Sequence, residues 1–269
     1  MKKTADKFLS LILSAGLTLS LIPIFSAAAY AADAGVLIFD NHTVKQTQSN
    51  IQHAVCDAMA LYTDGFVTVT VTGSKAGADE TLELDIPDRV RVIWKAEYSG
   101  SARPLIEIIG GGIFEVTAGG EISAAGDEGE GCAIRSADAS VIVSGGRIFG
   151  DSIGSCAISA VNGNVTVLDG TIFVSGHSCT AIDNSYGDVT VLGGEIEAYG
   201  ENNYGICVRS GNVTVQGGTV TAVSVNGDSR NFAILITDGG VAACLENTCS
   251  GLLSSTIFPF NPKSKLALP

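Results

Sequence analysis

Lysine is missing from the long middle of this 269-residue chain. None lies between Lys95 and Lys263, and the positive charges of that stretch are Arg103, Arg135, Arg147, Arg209 and Arg230. Acidic residues outnumber basic ones, giving a formal net charge of −13. Proteins that grip nucleic acid or anionic membranes need a basic footprint, so both are excluded as expected partners. A polyanionic glycan would need a bridging cation. After residue 31 no apolar run is long enough to span a bilayer. No cysteine follows the first apolar run, so a lipid anchor is not indicated.

That first run belongs to a leader. Lys2, Lys3 and Lys7 precede FLSLILSAGLTLSLIPIF (8–25), and Ala-Tyr-Ala (29–31) follows within a small-residue stretch. A positive start, an apolar centre and small residues before a cut read as a secretory signal peptide over 1–31. Pro23 argues against an uncleaved anchor. Removing 1–31 takes away three Lys and one Asp, which leaves the remainder two charges more negative. The expected location is secreted, extracellular or cell-surface, with no membrane insertion after cleavage.

What is abundant is repetition. SVIVSGGRIFGDS (140–152), NVTVLDGTIFVSG (164–176), DVTVLGGEIEAYG (188–200) and NVTVQGGTVTAVS (212–224) each start 24 residues after the last. Val141, Val165, Val189 and Val213 share one column. Ile148, Ile172, Ile196 and Val220 share a second, and Ile158, Ile182 and Ile206 a third. Each column sits in a short run of period-two alternation, which marks a strand with one buried face. Gly-Gly pairs at 145–146, 193–194 and 217–218, and Asp-Gly at 169–170, supply tight bends. Three short strands per period bury nothing alone; stacked in register, they share a continuous core. The expected fold is all-β, a right-handed parallel β-solenoid (β-helix) of six or seven coils, about 4.8 Å each and on the order of 30 Å in all.

The copies extend toward the N-terminus through IFEVTAGGEISAAG (113–126), with GDEGEG (126–131) inserted before Cys132, and then more loosely to residue 66. A capping helix is predicted over 49–62, with Ile51, Val55, Met59 and Tyr62 on its buried face and Ser49 with Gln52 as a capping box. Cys56 reads as a buried small hydrophobe. The expected organisation is a signal peptide at 1–31, a lead-in and capping helix at 32–62, the β-helix at 63–240 and a tail at 241–269.

The cap, the TLELDIP and VRVIW strands and the VTVxGGxI coils resemble the right-handed parallel β-helix proteins of the pectate-lyase-like superfamily. Within it they are similar to secreted, Gly-Gly-rich, carbohydrate-binding surface proteins of Gram-positive anaerobes. The resemblance covers roughly 49–240 and rests on scaffold motifs. It implies either a glycan-binding module or a polysaccharide lyase or hydrolase, and fold alone does not choose.

Catalytic motifs are scarce. Hydrolysis needs two carboxylates across the scissile bond; Asp169, Asp183, Asp188, Glu195 and Glu197 read as spread over different faces. Gly-His-Ser at 176–178 lacks the paired Asp and the Arg-Ile-Lys motifs of pectin hydrolases. Arg135, in one column with Ser159 and Asp183, has no adjacent carboxylate there. A non-catalytic binding function to extracellular polysaccharide, neutral or anionic through Ca²⁺, is therefore the expectation, with a structural or adhesive rod as a further alternative. The Thr166, Thr190 and Thr214 column offers one Thr per coil, short of the paired array an ice-binding surface needs.

Two candidate sites emerge. Phe149 and Phe173 share an outward column one coil apart, and Tyr186, Tyr199 and Tyr204 follow in later bends. Such rings suit the apolar face of a sugar, or equally cover one another as packing. Asp127, Glu128 and Glu130 cluster in the inserted loop, with Asp151 expected to stack beside Asp127. Oxygen-rich loops suit Ca²⁺, or simply stay hydrated. Of the seven cysteines, Cys132 and Cys156 share a column and form either a disulfide or a thiol ladder. Cys179 and Cys207 fall out of register with them, and Cys244 and Cys249 are close enough in sequence to bridge.

Overall fold

The structure is a computed structural model that describes residues 33–38, 42–61, 65–126, 131–225, 230–244, 249–250 and 252–255. The expected signal peptide at 1–31 and the Tyr62 position lie outside these residues. The chain winds into a parallel β-solenoid of about seven turns, with one helix at its N-terminal end. Every strand pair is parallel, and each turn contributes to three faces.

The core follows from the alternation. On the first face, Val69, Val92, Phe114, Val141, Val165, Val189 and Val213 stack as register partners, and each is 0% exposed. On the second face the inward column runs Tyr98, Ile122, Ile148, Ile172, Ile196, Val220. The third face supplies Leu82, Ile106, Ile134, Ile158, Ile182 and Ile206. Layers of one residue type keep the same rotamers and volume, so each turn is a template for the next. Toward the N-terminus the core is aromatic. Trp94 meets Tyr98 edge-on at 5.7 Å and Phe114 at 5.6 Å.

The bend between the first and second faces is glycine by necessity. Gly170, Gly194 and Gly218 take φ of +101°, +80° and +72°. A Cβ at any of them would also press on the backbone of the glycine one turn earlier.

The cap differs in detail from expectation. The helix α1 spans Val44–Leu61, starting five residues earlier than 49. Its capping box is Thr43 with Gln46, not Ser49 with Gln52: Thr43 N–H donates to Gln46 Oε1 at 2.9 Å, and Gln46 N–H to Thr43 Oγ1 at 3.2 Å. The stripe Val44, Thr47, Ile51, Val55 and Ala58 is buried, whereas Met59 is 42% exposed. Cys56, expected inside, is exposed. The 3–4 spacing from Val44 puts Ala58, and not Met59, against the core.

Gln48 and Gln52 have a different task. Gln48 Oε1 accepts from Glu83 N–H at 3.3 Å. Gln52 accepts from Asp85 N–H and donates to Asp85 C=O at 2.9 Å. One turn apart on α1, the two amides satisfy the exposed edge of the strand Leu82–Asp85, as a neighbouring strand would. The strand Asp33–Ile38 does the same for the first face by pairing in parallel with Val67–Ala78.

Candidate functional site

The second face carries the outward side chains of Arg147–Asp151, Thr171–His177, Glu195–Glu201 and Thr219–Ser224, strand segments of four successive turns. Because inward positions hold Ile148, Ile172, Ile196 and Val220, the residues on either side must point out. Phe149 and Phe173 are register partners, and their rings meet edge-to-face at 6.4 Å and 65°. Both are half-buried, so each ring packs on its neighbour and still shows one edge to solvent. Glu197 and Thr221 continue the column. Tyr199, 41% exposed, stands in the next outward column, diagonal to Phe173.

The five aromatic candidates therefore divide. Phe149, Phe173 and Tyr199 share one face. Tyr204 lies past the following corner, stacked on Phe232 at 5.9 Å and 6°. Tyr186, 57% exposed, occupies the bend that leads back to the first face. Phe232 is a ring partner that the repeat alignment misses, and it lies off the face of Phe149, Phe173 and Tyr199. Its register partner is 28 residues earlier rather than 24, because the bend before it is longer.

The acidic candidates divide too. Asp127, Glu128 and Glu130 lie outside the described residues. Asp151 pairs with Ala125 and Ser175, so its column neighbour is not Asp127; the inserted loop shifts the register by two. Its carboxylate accepts from Ser175 Oγ at 2.6 Å. Among the described residues no three His, Cys, Asp or Glu side chains come together in a way that could hold a metal ion.

Several other carboxylates have structural partners. Asp188 accepts from Asn212 N–H at 2.8 Å, while its own N–H donates to Asn164 Oδ1 at 2.9 Å, a ladder along an exposed corner. Asp169 accepts from Gly170 N–H at 2.8 Å. Glu115, nearly buried on the first face, is held by Arg91 and by Ser144 Oγ. Arg135 does have a carboxylate neighbour, contrary to expectation: Glu107 is its register partner on the side away from Ser159. Glu195 and Glu197 share the outward side of one strand instead of occupying different faces, and both belong to the aromatic face. At its end His177 Nδ1 lies 3.6 Å from Glu201 Oε2. A separate groove, between α1 and the first turn, is lined by Lys45, Gln48, Ser49, Gln52, Glu80 and Glu83; two of these hold the cap on.

Cys132 and Cys156 are disulfide-bonded across adjacent turns, with Cα atoms 4.7 Å apart. Replacing both with serine removes a constraint on the unfolded chain, and the chain-entropy argument puts the loss at about 3 kcal/mol for a loop of this size. Denaturant unfolding should show a lower midpoint with the solenoid retained. Cys244 partners Val215 on the first face and Cys249 partners Val220 on the second, so the two belong to different faces.

Burial, and secondarily the carboxylate of Asp183, push the Cys207 thiol up to about 11, against a weaker opposing effect of Arg209. Thiolate is the reactive form, so at pH 8 Cys207 holds about a hundredfold less of it than an ordinary thiol. Labelling the folded chain at pH 8 should show a fast phase that Cys56→Ser reduces and Cys207→Ser leaves unchanged. No family model, curated protein or solved structure matches the chain.

Proposed function

We propose that this chain is a secreted, non-catalytic β-solenoid that binds extracellular polysaccharide through its second face. The observation that carries this reading is the outward Phe149–Phe173 pair with Tyr199 diagonal to it. Three rings on adjacent turns of a regular strand array offer apolar contact to an extended polymer of sugar rings. The leader at 1–31 and the resemblance to the pectate-lyase-like superfamily support export and a glycan partner. A disulfide between turns is of the kind that persists outside the cytosol. Asp127, Glu128 and Glu130 lie outside the described residues, and Ca²⁺ at these residues, against a simply hydrated acidic segment, is what the EDTA arm of the test decides.

A second reading, a polysaccharide lyase or hydrolase, draws on Glu195 and Glu197. Two residues apart on one strand, they place two carboxylates on the ring face, and glycoside hydrolysis uses a pair of carboxylates. Their side chains leave the strand in the same direction, however, whereas the reaction needs carboxylates flanking the bond from two sides.

The test is retention of the purified secreted chain on insoluble and immobilised polysaccharides, with Ca²⁺ and then with EDTA. Retention without soluble sugar supports binding, and its loss in EDTA supports Ca²⁺ at Asp127, Glu128 and Glu130. Unsaturated or reducing products would establish the second reading. No retention on any glycan would overturn both in favour of a structural rod.

A further inference from the structure

The second face is not only aromatic. Over the three turns that hold the rings, its outward positions carry Asp151, Glu195, Glu197 and Glu201 against one guanidinium, Arg147, and, at the end of the face, His177, which lies 3.6 Å from Glu201. Arg147 has Glu121 as its register partner on the preceding turn, which offsets even that charge. Glu197 stands directly below Phe173 in the ring column, and Glu195 and Tyr199 lie two residues to either side of it on the same strand. Phe173 therefore has a carboxylate one strand spacing away, and Phe149 and Tyr199 have carboxylates two residues along their own strands, Asp151 for the first and Glu197 with Glu201 for the second. The Asp188 and Asp169 carboxylates are taken up by backbone N–H groups. Among the described residues neither Glu195 nor Glu197 accepts such a bond, and Glu195 is exposed.

From this juxtaposition we infer that the polysaccharide bound at the second face carries amino groups, that is, a glycan with free, protonated 2-amino sugars. The inference rests on the binding function proposed above and names its substrate class. A neutral sugar uses the rings and leaves Glu195 and Glu197 without a counter-charge. A uronate polymer meets like charge at Asp151, Glu195 and Glu197. An ammonium group beside a sugar ring packed on Phe173 reaches Glu197, one strand spacing away. Charge complementarity of this kind adds discrimination more than raw affinity, because mismatched charge at the same place is penalised. It also carries a signature: partly exposed ion pairs weaken as salt rises.

The experiment compares two probes with the same backbone, a hexamer of β-1,4-linked glucosamine and the corresponding hexamer of N-acetylglucosamine. Titration calorimetry on the full secreted chain is run near pH 6, where the amines are largely protonated and the carboxylates ionised, at low and high salt. The expected result is tenfold or greater preference for the amine form, shrinking with salt. In Glu195→Gln/Glu197→Gln, whose positions are outward and whose circular dichroism should be unchanged, that preference falls toward parity. Equal affinity of the two hexamers, or a preference that the double variant keeps, overturns this inference and leaves the binding function standing. Binding of neither hexamer overturns the inference, and retention on other polysaccharides then decides separately whether the binding function survives.

Discussion

Ile172→Asp should abolish the cooperative fold, and the neighbouring Phe173→Ala should not. Ile172 is 0% exposed and sits between Ile148 and Ile196 in the continuous column of the second face. Removing its side chain forfeits about 3 kcal/mol of burial and packing. A carboxyl group placed there is out of reach of solvent, so it must protonate and still lacks partners, at a further cost of about 2–7 kcal/mol. Against a whole-domain stability of roughly 5–15 kcal/mol the sum is decisive. Phe173 stands one residue on and points the other way. Truncating it loses its edge-to-face contact with Phe149, worth about 1 kcal/mol, and part of its half-buried area. Thermal melting followed by circular dichroism should show no transition for the first variant and a modest shift for the second. The reverse outcome would mean the strand is read one residue out of register, which exchanges every inward and outward side chain.

The second large effect is expected at a corner, not in the apolar core. Asn203 is 0% exposed. Its Oδ1 accepts from Cys179 N–H at 2.7 Å, its Nδ2 donates to Gly176 C=O at 3.1 Å, and its own N–H donates to Asn231 Oδ1 at 2.9 Å. Asn231 repeats the pattern one turn on, donating to Gly200 C=O at 2.9 Å. Above Asn203 the same column holds Cys179, whose thiol donates to Ser152 C=O at 3.1 Å, and then Ser155. The corner is thus a column of small polar side chains closing backbone groups that the three faces cannot pair. Asn203→Leu keeps the volume and strands the Cys179 N–H and the Gly176 carbonyl. At about 1–3 kcal/mol for each buried unpaired group, the loss should be about 2–6 kcal/mol. Asn212→Ala provides the contrast. It belongs to a ladder of the same kind on the exposed corner, where water replaces the lost partner, and should cost about 1 kcal/mol or less. Denaturant midpoints of the two variants measure the difference.

The core columns were readable from sequence because four copies, from Val141 to Val213, keep one exact period and one residue type. Where the period breaks, the reading breaks. The insertion before Cys132 moved Asp151 two places relative to the previous turn, onto Ala125, and the longer bend before Phe232 hid its partnership with Tyr204. The cap failed for another reason. Both Thr43-Gln46 and Ser49-Gln52 fit a capping box, and only tertiary contact distinguishes them: Gln52 is engaged by the edge of Leu82–Asp85. The polar corner was illegible because Ser155, Cys179, Asn203 and Asn231 share a position and a role but no residue type. The aromatic pair is readable as a column, whereas Glu195 and Glu197 join it only through the strand Glu195–Glu201, which places both on the ring face.

The most direct test of the account is glycan retention by Phe149→Ala/Phe173→Ala beside a control pair on the other faces, Thr190→Ala/Asp183→Ala. The account predicts that the first pair loses retention while still melting as a folded solenoid, and that the control pair binds as the parent chain does. Undiminished retention by the folded Phe149→Ala/Phe173→Ala variant would contradict it and take the working surface off the second face.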